Sequence, residues 1–165
     1  MAVAEKVYLD TNVFIAAFES RNELSDLLAN LFTVDTEKVR FATSELTLSE
    51  LLVKPYKTAD DVAVDLYEGM IQTSEWLEVL PVGRQMLWYA AVLRSQYPSL
   101  KLPDAIHVST AFAADCSHLL TGDAGLKETY QIIHARYGMS KRSKPLTVIR
   151  PDMATLHGLL EEFAQ

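Results

Sequence analysis

Residues Leu102–Asp123, LPDAIHVSTAFAADCSHLLTGD, decide the fold. Pro103 suits the opening of a helix, where its missing N–H and fixed φ cost nothing. The run from there to about Ala114 is built of small residues that let a helix lie close on a sheet. His118–Thr121 is a short apolar run that reads as a strand. Asp104 thus falls in the first turn of a helix, and Asp123 just past the end of the following strand. In an open α/β sheet a connecting helix runs antiparallel to its strands, so both positions share the carboxyl edge, where such sheets bind ligands.

Working outward, Val7–Leu9 reads as a first buried strand with Asp10 at its exit. Thr11 or Asn12 can cap a helix over Val13–Phe18, and the spacing of Leu24, Leu27, Leu28, Leu31 and Phe32 makes one face of a second. Val39–Ala42 is the expected second strand. Ser44 is a good N-cap for a helix running to Val53 and stopped by Pro55. Asp60–Thr73 has helical spacing, Trp76–Leu80 reads as a third strand, and Gly83–Tyr97 as a helix ended by Pro98. After the quoted stretch, residues 138–145 (GMSKRSKP) read as a basic loop without periodicity. Leu146–Ile149 is the expected fifth strand, and Pro151 opens a last helix that ends at Phe163. Strands alternating with helices imply an α/β fold, a mostly parallel sheet covered on both faces.

The chain has 165 residues, long enough for one well-formed core and short for two, so a single domain over 1–165 is expected. With 49% hydrophobic and 22% charged residues it has globular rather than disordered composition. The net charge of −7 excludes a general polycationic surface, so any nucleic-acid contact must be local or metal-mediated. The lone Cys116 cannot form an intrachain disulfide and reads as a packed thiol. The opening MAVAEKVYLD lacks the apolar core of a signal peptide, and no apolar run reaches the ~18 residues of a membrane span. The expectation is a cytoplasmic protein without membrane contact.

Asp10, Glu50, Asp104 and Asp123 come from four separate segments, and the βαβ reading sends each toward the same edge. Glu50 lies six residues after Ser44, about 9 Å along a helix, a depth from which a glutamate reaches back to the rim. Its competitor Glu45 sits in the first turn, where the helix dipole alone explains a negative charge. Each position has a plain structural reading as well: Asp10 as a helix cap, Asp104 as a dipole partner, Asp123 as a turn former before Ala124-Gly125, and Glu50 as a solvated residue. Their joint placement weighs against those readings, because clustered carboxylates repel one another unless a cation intervenes. All-oxygen donors suit Mg²⁺ or Mn²⁺, and the chemistry that follows is metal-assisted phosphodiester hydrolysis.

His107, one turn after Asp104, reads as a packed or surface histidine, since no second histidine stands at ligand spacing. His118 reads as structural. Cys116 has no histidine near it in sequence to activate it as a nucleophile, and no Gly-rich phosphate loop occurs.

The segments YLDTNVFI, SELTLSELL and LPDAIHVSTAFAADCSHLLTGDAGLK together resemble the PIN-domain family, most closely its VapC-like toxin ribonucleases. The resemblance implies a Rossmann-like α/β/α domain with a sheet ordered 3-2-1-4-5, acting as a Mg²⁺- or Mn²⁺-dependent endoribonuclease. On it, Asp10, Glu50, Asp104 and Asp123 match the family's acidic set, and Thr11, Asn12 and Thr121 the polar residues that orient ligands or water. It also implies an antitoxin protein with a basic tail and a homodimer. Lys141, Arg142 and Lys144, the densest basic patch, are candidates for contact with RNA. Two other readings remain open here: a catalytically silent PIN-like RNA-binding or scaffold module, and a metal-dependent phosphatase or small-molecule hydrolase of doubly wound fold.

Overall fold

The structure, a computed structural model, describes residues 3–165. Met1 and Ala2, part of the amino-terminal stretch read above, lie outside them. Strand β1 (Val7–Leu9) leads into α1 (Thr11–Phe18) and α2 (Glu23–Phe32), then β2 (Phe41–Ser44), α3 (Glu45–Thr58), α4 (Asp61–Met70) and β3 (Leu77–Leu80). Helices α5 (Arg84–Gln96) and α6 (Leu102–Ala113) precede β4 (His118–Leu120). Four short strands follow, β5 (Thr129–Tyr130), β6 (Ile133–Arg136), β7 (Met139–Arg142) and β8 (Leu146–Ile149), and α7 (Met153–Phe163) closes the chain.

The main sheet runs β3-β2-β1-β4-β8-β5, parallel apart from β5, which pairs antiparallel with β8. The five parallel strands therefore stand in the expected 3-2-1-4-5 order. Side chains alternate between the faces as the pleat requires. Val7 and Leu9 join the core beneath α1, α2 and α7, while Tyr8 joins the core beneath α5 and α6. On the first side Phe32 stacks on Trp76 at 5.1 Å and meets Phe41 edge-on at 5.9 Å. On the second, α6 buries every residue from Ala105 to Ala111. Its small side chains allow that close approach.

The structure moves several boundaries. Asp10, rather than Thr11 or Asn12, caps α1, accepting from the Thr11 N–H, so the helix begins at Thr11. Strand β2 starts at Phe41 rather than Val39, and Ser44 both ends it and caps α3. Pro55 does not stop α3. It lies in the last turn, buried, and the helix runs on to Thr58, closed by left-handed Ala59 (φ 51°) and a bond from Asp60 N–H to Pro55 O of 2.9 Å.

The largest correction concerns the basic segment 138–145. Met139–Arg142 is not a loop but strand β7, paired antiparallel with β6 from Ile133↔Arg142 to Arg136↔Met139. Tyr137 and Gly138, both at positive φ (51° and 73°), make the two-residue turn that matches the twist of a hairpin. All four β7 residues are exposed, so no burial alternation marks the strand in the sequence.

Candidate functional site

The parallel strands bring three of the four predicted carboxylates to the carboxyl edge directly: Asp10 after β1, Asp123 after β4, and Asp104 in the first turn of α6. Glu50 arrives from inside α3. Asp10 is buried and fully engaged. Its Oδ1 accepts from the Thr11 N–H at 2.8 Å, and its Oδ2 accepts from the Thr121 hydroxyl at 2.7 Å and the Asn12 amide at 3.2 Å.

Thr121 is wholly buried and joins two of the acids. Its Oγ1 donates to Asp10 and accepts from the Asp123 N–H at 3.0 Å and from Asn12 Nδ2 at 3.2 Å. Asn12 Oδ1 in turn accepts from Gly122 N–H at 2.7 Å, and Asp123 Oδ1 accepts from Gly125 N–H at 2.8 Å. Every polar atom of the Thr121 side chain is satisfied, so its rotamer is fixed, and Asp10 with it.

Glu50 is held from the other side. Its Oε1 accepts from the Thr11 hydroxyl at 3.0 Å and lies 2.5 Å from His107 Nε2. His107, set aside by sequence, is therefore part of the site: buried, 3.7 Å from Asp10 Oδ1, with Nδ1 2.7 Å from the Tyr8 hydroxyl. An ionised carboxylate only accepts, so Nε2 carries a proton. Nδ1 then either accepts from Tyr8 or, in the imidazolium, donates to it. The signal for His107 was its position one turn after Asp104. Tyr8 carried none, being indistinguishable from any aromatic on a buried strand.

Arg150, also unmarked in sequence, donates to the carbonyls of Leu126 (2.8 Å) and Thr121 (3.4 Å) and so braces the loop that carries Asp123.

The electrostatics match this crowding. Burial raises Asp104 above its ordinary value, and the charges of Asp10, Asp123 and Glu50 add to that against a smaller opposing effect of His107. Burial also pushes Glu50 up, but the hydrogen bond and charge of His107 and the Thr11 hydroxyl outweigh it, leaving Glu50 below its usual value. Burial drives Cys116 up to about 12, as befits a packed thiol. The cations Lys141, Arg142 and Lys144 are not brought to the carboxylates. Their hairpin springs from the amino end of β8, the opposite edge of the sheet.

Among the described residues, no three or more His, Cys, Asp or Glu side chains converge tightly enough to enclose an ion unaided. The donor chemistry nonetheless fits Mg²⁺ or Mn²⁺. The set is all oxygen, Glu50 Oε2 and Asp123 Oδ2 are not used by the bonds above, and such ions keep several waters rather than requiring a full protein cage.

Comparison with known proteins bears on the family and the fold. The PIN domain family model matches residues 7–132. No curated protein matches the chain by sequence. Among solved structures, a toxin-antitoxin complex from Klebsiella pneumoniae aligns with a TM-score of 0.54 at 22% identity, covering 72% of this chain and 87% of that one. DNA-bound VapBC from Salmonella typhimurium aligns at 0.53 and 24%, covering 70% and 83%. The sarcin-ricin loop cleaving toxin VapC20 of Mycobacterium tuberculosis aligns at 0.54 and 14%, covering 69% and 87%. At these identities the likeness is one of fold. No helix among the described residues is long and apolar enough to cross a membrane.

Proposed function

The chain belongs to the PIN domain family, and on that premise we propose that it is a metal-dependent endoribonuclease, the toxin of a VapBC-type pair. The observation that carries this reading is the network through Thr121, which joins Asp10 to Asp123 across 113 positions of sequence beside Asp104 and Glu50. Like charges gathered at one edge oppose folding, so a functional counter-charge is the simplest reason for them.

Asp10, Glu50, Asp104 and Asp123 would hold Mg²⁺ or Mn²⁺. When bound, the ion supplies Lewis acidity toward the scissile phosphate and makes water a better nucleophile. The chain's own residues do the positioning. Thr121 and Asn12 fix Asp10, and Thr11 bridges from α1 to Glu50. His107 Nε2–H donates to Glu50 and keeps that carboxylate ionised, with the Tyr8 hydroxyl orienting the ring from behind. No side chain need form a covalent intermediate.

The partner in this reading is a small antitoxin whose basic tail reaches the acidic edge. An arginine pairs bidentately with a carboxylate where a metal ion would otherwise sit. Its apolar portion has a surface to lie on. Val53 and Tyr56 of α3 and Val62 and Leu66 of α4 are exposed, Val62 at 80%. A homodimer would use faces of the same kind.

The test is cleavage of single-stranded RNA by the purified protein with Mg²⁺, with Mn²⁺ and with EDTA. Metal-dependent cleavage that Asp10→Asn abolishes supports the reading. A folded protein that binds RNA without cutting it is a silent PIN-like module. Turnover of a small phosphate ester alone assigns a phosphatase. Co-purification with the product of the adjacent reading frame, followed by replacement of that partner's basic residues, tests the inhibitory contact.

A further inference from the structure

Helix α5 and the β6–β7 hairpin enclose an open groove of about 540 Å³, with Trp88 and Val92 on one wall and Ile133–Arg136 on the other. Hairpin and sheet are continuous at a defined point. Ser143 N–H donates to Ile132 O, and Lys144-Pro145 leads straight into β8 at Leu146, so the hairpin leaves the sheet at the edge opposite Asp10 and Asp123.

Charge is unevenly divided along the chain. Residues 79–103 and 129–151, which supply α5 and the hairpin, contain no aspartate or glutamate, although the chain carries 22. They do carry Arg94, Arg136, Lys141, Arg142 and Lys144. The side-chain ion pairs among the described residues use Lys6, Lys54 and His107, so these cations remain uncompensated.

Aromatic rings stand among the cations. The Arg136 guanidinium lies 5.9 Å from the Trp88 ring centre and 5.0 Å from that of Tyr137, and it donates to the Tyr137 hydroxyl at 3.2 Å. Tyr137 is 87% exposed at the turn and Trp88 46% exposed on α5. His134 meets Tyr89 edge-on at 5.5 Å, which fixes the β6 side of the groove.

From this we infer that the α5–hairpin groove is a binding platform for single-stranded RNA, with bases stacked on Trp88 and Tyr137 and phosphates held by Arg136 and Lys141, which share the hairpin face that meets α5. Exposed ring faces beside unpaired cations are the surface that single strands recognise, since every base has a π-face and every linkage a charge. A duplex hides those faces. The basic-tailed protein partner proposed above is repelled here, so the two ligands are directed to opposite edges. The platform deepens the nuclease reading and rests on it for the identity of the strand: a substrate long enough to pass from the hairpin to the carboxylates is held at both ends.

The test is performed on the full chain in EDTA, so that binding is read without cleavage. A labelled single-stranded RNA of about 16 nucleotides is titrated by fluorescence anisotropy beside the same RNA annealed to its complement. The single strand is expected to bind at least about ten-fold more tightly than the duplex, and Trp88→Ala to weaken it about ten-fold. Tyr137→Asn, at a positive φ that asparagine tolerates, weakens it without endangering the fold. Lys141→Gln lowers the salt slope by about 0.7. Equal affinity for duplex, or wild-type affinity in both Trp88→Ala and Tyr137→Asn, overturns the platform. So does displacement of the RNA by an acidic peptide that Trp88→Ala alone fails to bind, which assigns the groove to a protein. RNA that is bound here but never cut on adding Mg²⁺ or Mn²⁺ removes the nuclease reading and leaves the platform standing; cutting with unaltered binding in the variants does the reverse.

Discussion

His107 Nε2 sits 2.5 Å from Glu50 Oε1, a contact that ties α6 to α3 across the carboxyl edge. With the Tyr8 hydroxyl on the far side of the ring, it forms a line of three polar groups running from the core to the site.

Replacing the ring tests that line through pH. Burial favours protonation of Glu50, but His107 and Thr11 more than offset it, holding the group below its ordinary 4.5. A depressed acid contributes stability that is complete above its unfolded value and is lost as pH falls through the folded one. In His107→Gln that contribution is weakened. The melting temperature should therefore drop most at neutral pH, and the gap to wild type should narrow as pH falls below about 4.5. A gap of constant size across the range would mean that His107 acts by packing alone.

Asp104 has the opposite sign. Burial, then the charges of Asp10 and Asp123, hold it above its ordinary value, so its ionisation costs stability that is lost as pH rises through the raised value. Asp104→Asn should melt at a higher temperature than wild type in EDTA at neutral pH. Adding Mg²⁺ or Mn²⁺ should stabilise the wild type more than the variant. Calorimetry reads both, and an ion that shifts the two equally would remove Asp104 from the ligand set.

Thr121→Val keeps the shape and removes the hydroxyl that donates to Asp10 and accepts from Asp123 N–H and Asn12 Nδ2. Leaving buried partners unsatisfied costs roughly 1–3 kcal/mol. A supporting group of this kind typically controls about 10- to 100-fold in metal affinity or activity. Denaturant unfolding and a metal titration measure the two effects separately.

The two glutamates of α3 should part company. Glu50→Gln is expected to lower RNA cleavage at least about 100-fold, whereas Glu45→Gln, in the first turn, should cost only a few tenths to ~1 kcal/mol through the helix dipole. Reversed results would move the site to the other face of the helix.

The sheet was legible because its strands are buried on both faces and read as apolar runs between helical repeats. The acidic residues were legible because a parallel sheet collects strand ends and helix starts at one edge. Three features escaped for identifiable reasons. The hairpin escaped as structure because all of β7 is exposed and β6 is only half-buried at Ile133 and His134, so no apolar alternation marks either strand. Pro55 reads as a stop, yet its missing N–H removes only the one bond to the carbonyl a turn earlier, and Ala59 and Asp60 donate to the last carbonyls and close the helix instead. His107 reads as one packed residue among several; only its long-range contact with Glu50, 57 positions away, reveals its part in the site.

The bond from Thr121 to Asp10 also has a meaning in time. Strand β1 is synthesised before both of its neighbours and lies in the middle of the sheet, paired with β2 on one flank and β4 on the other. A growing chain therefore carries Asp10 for several seconds, at about 5–20 residues per second, before Thr121 exists to fix it. No amino-terminal fragment that stops short of β4 can assemble the edge, so the carboxylates are brought together only after β4 has been made.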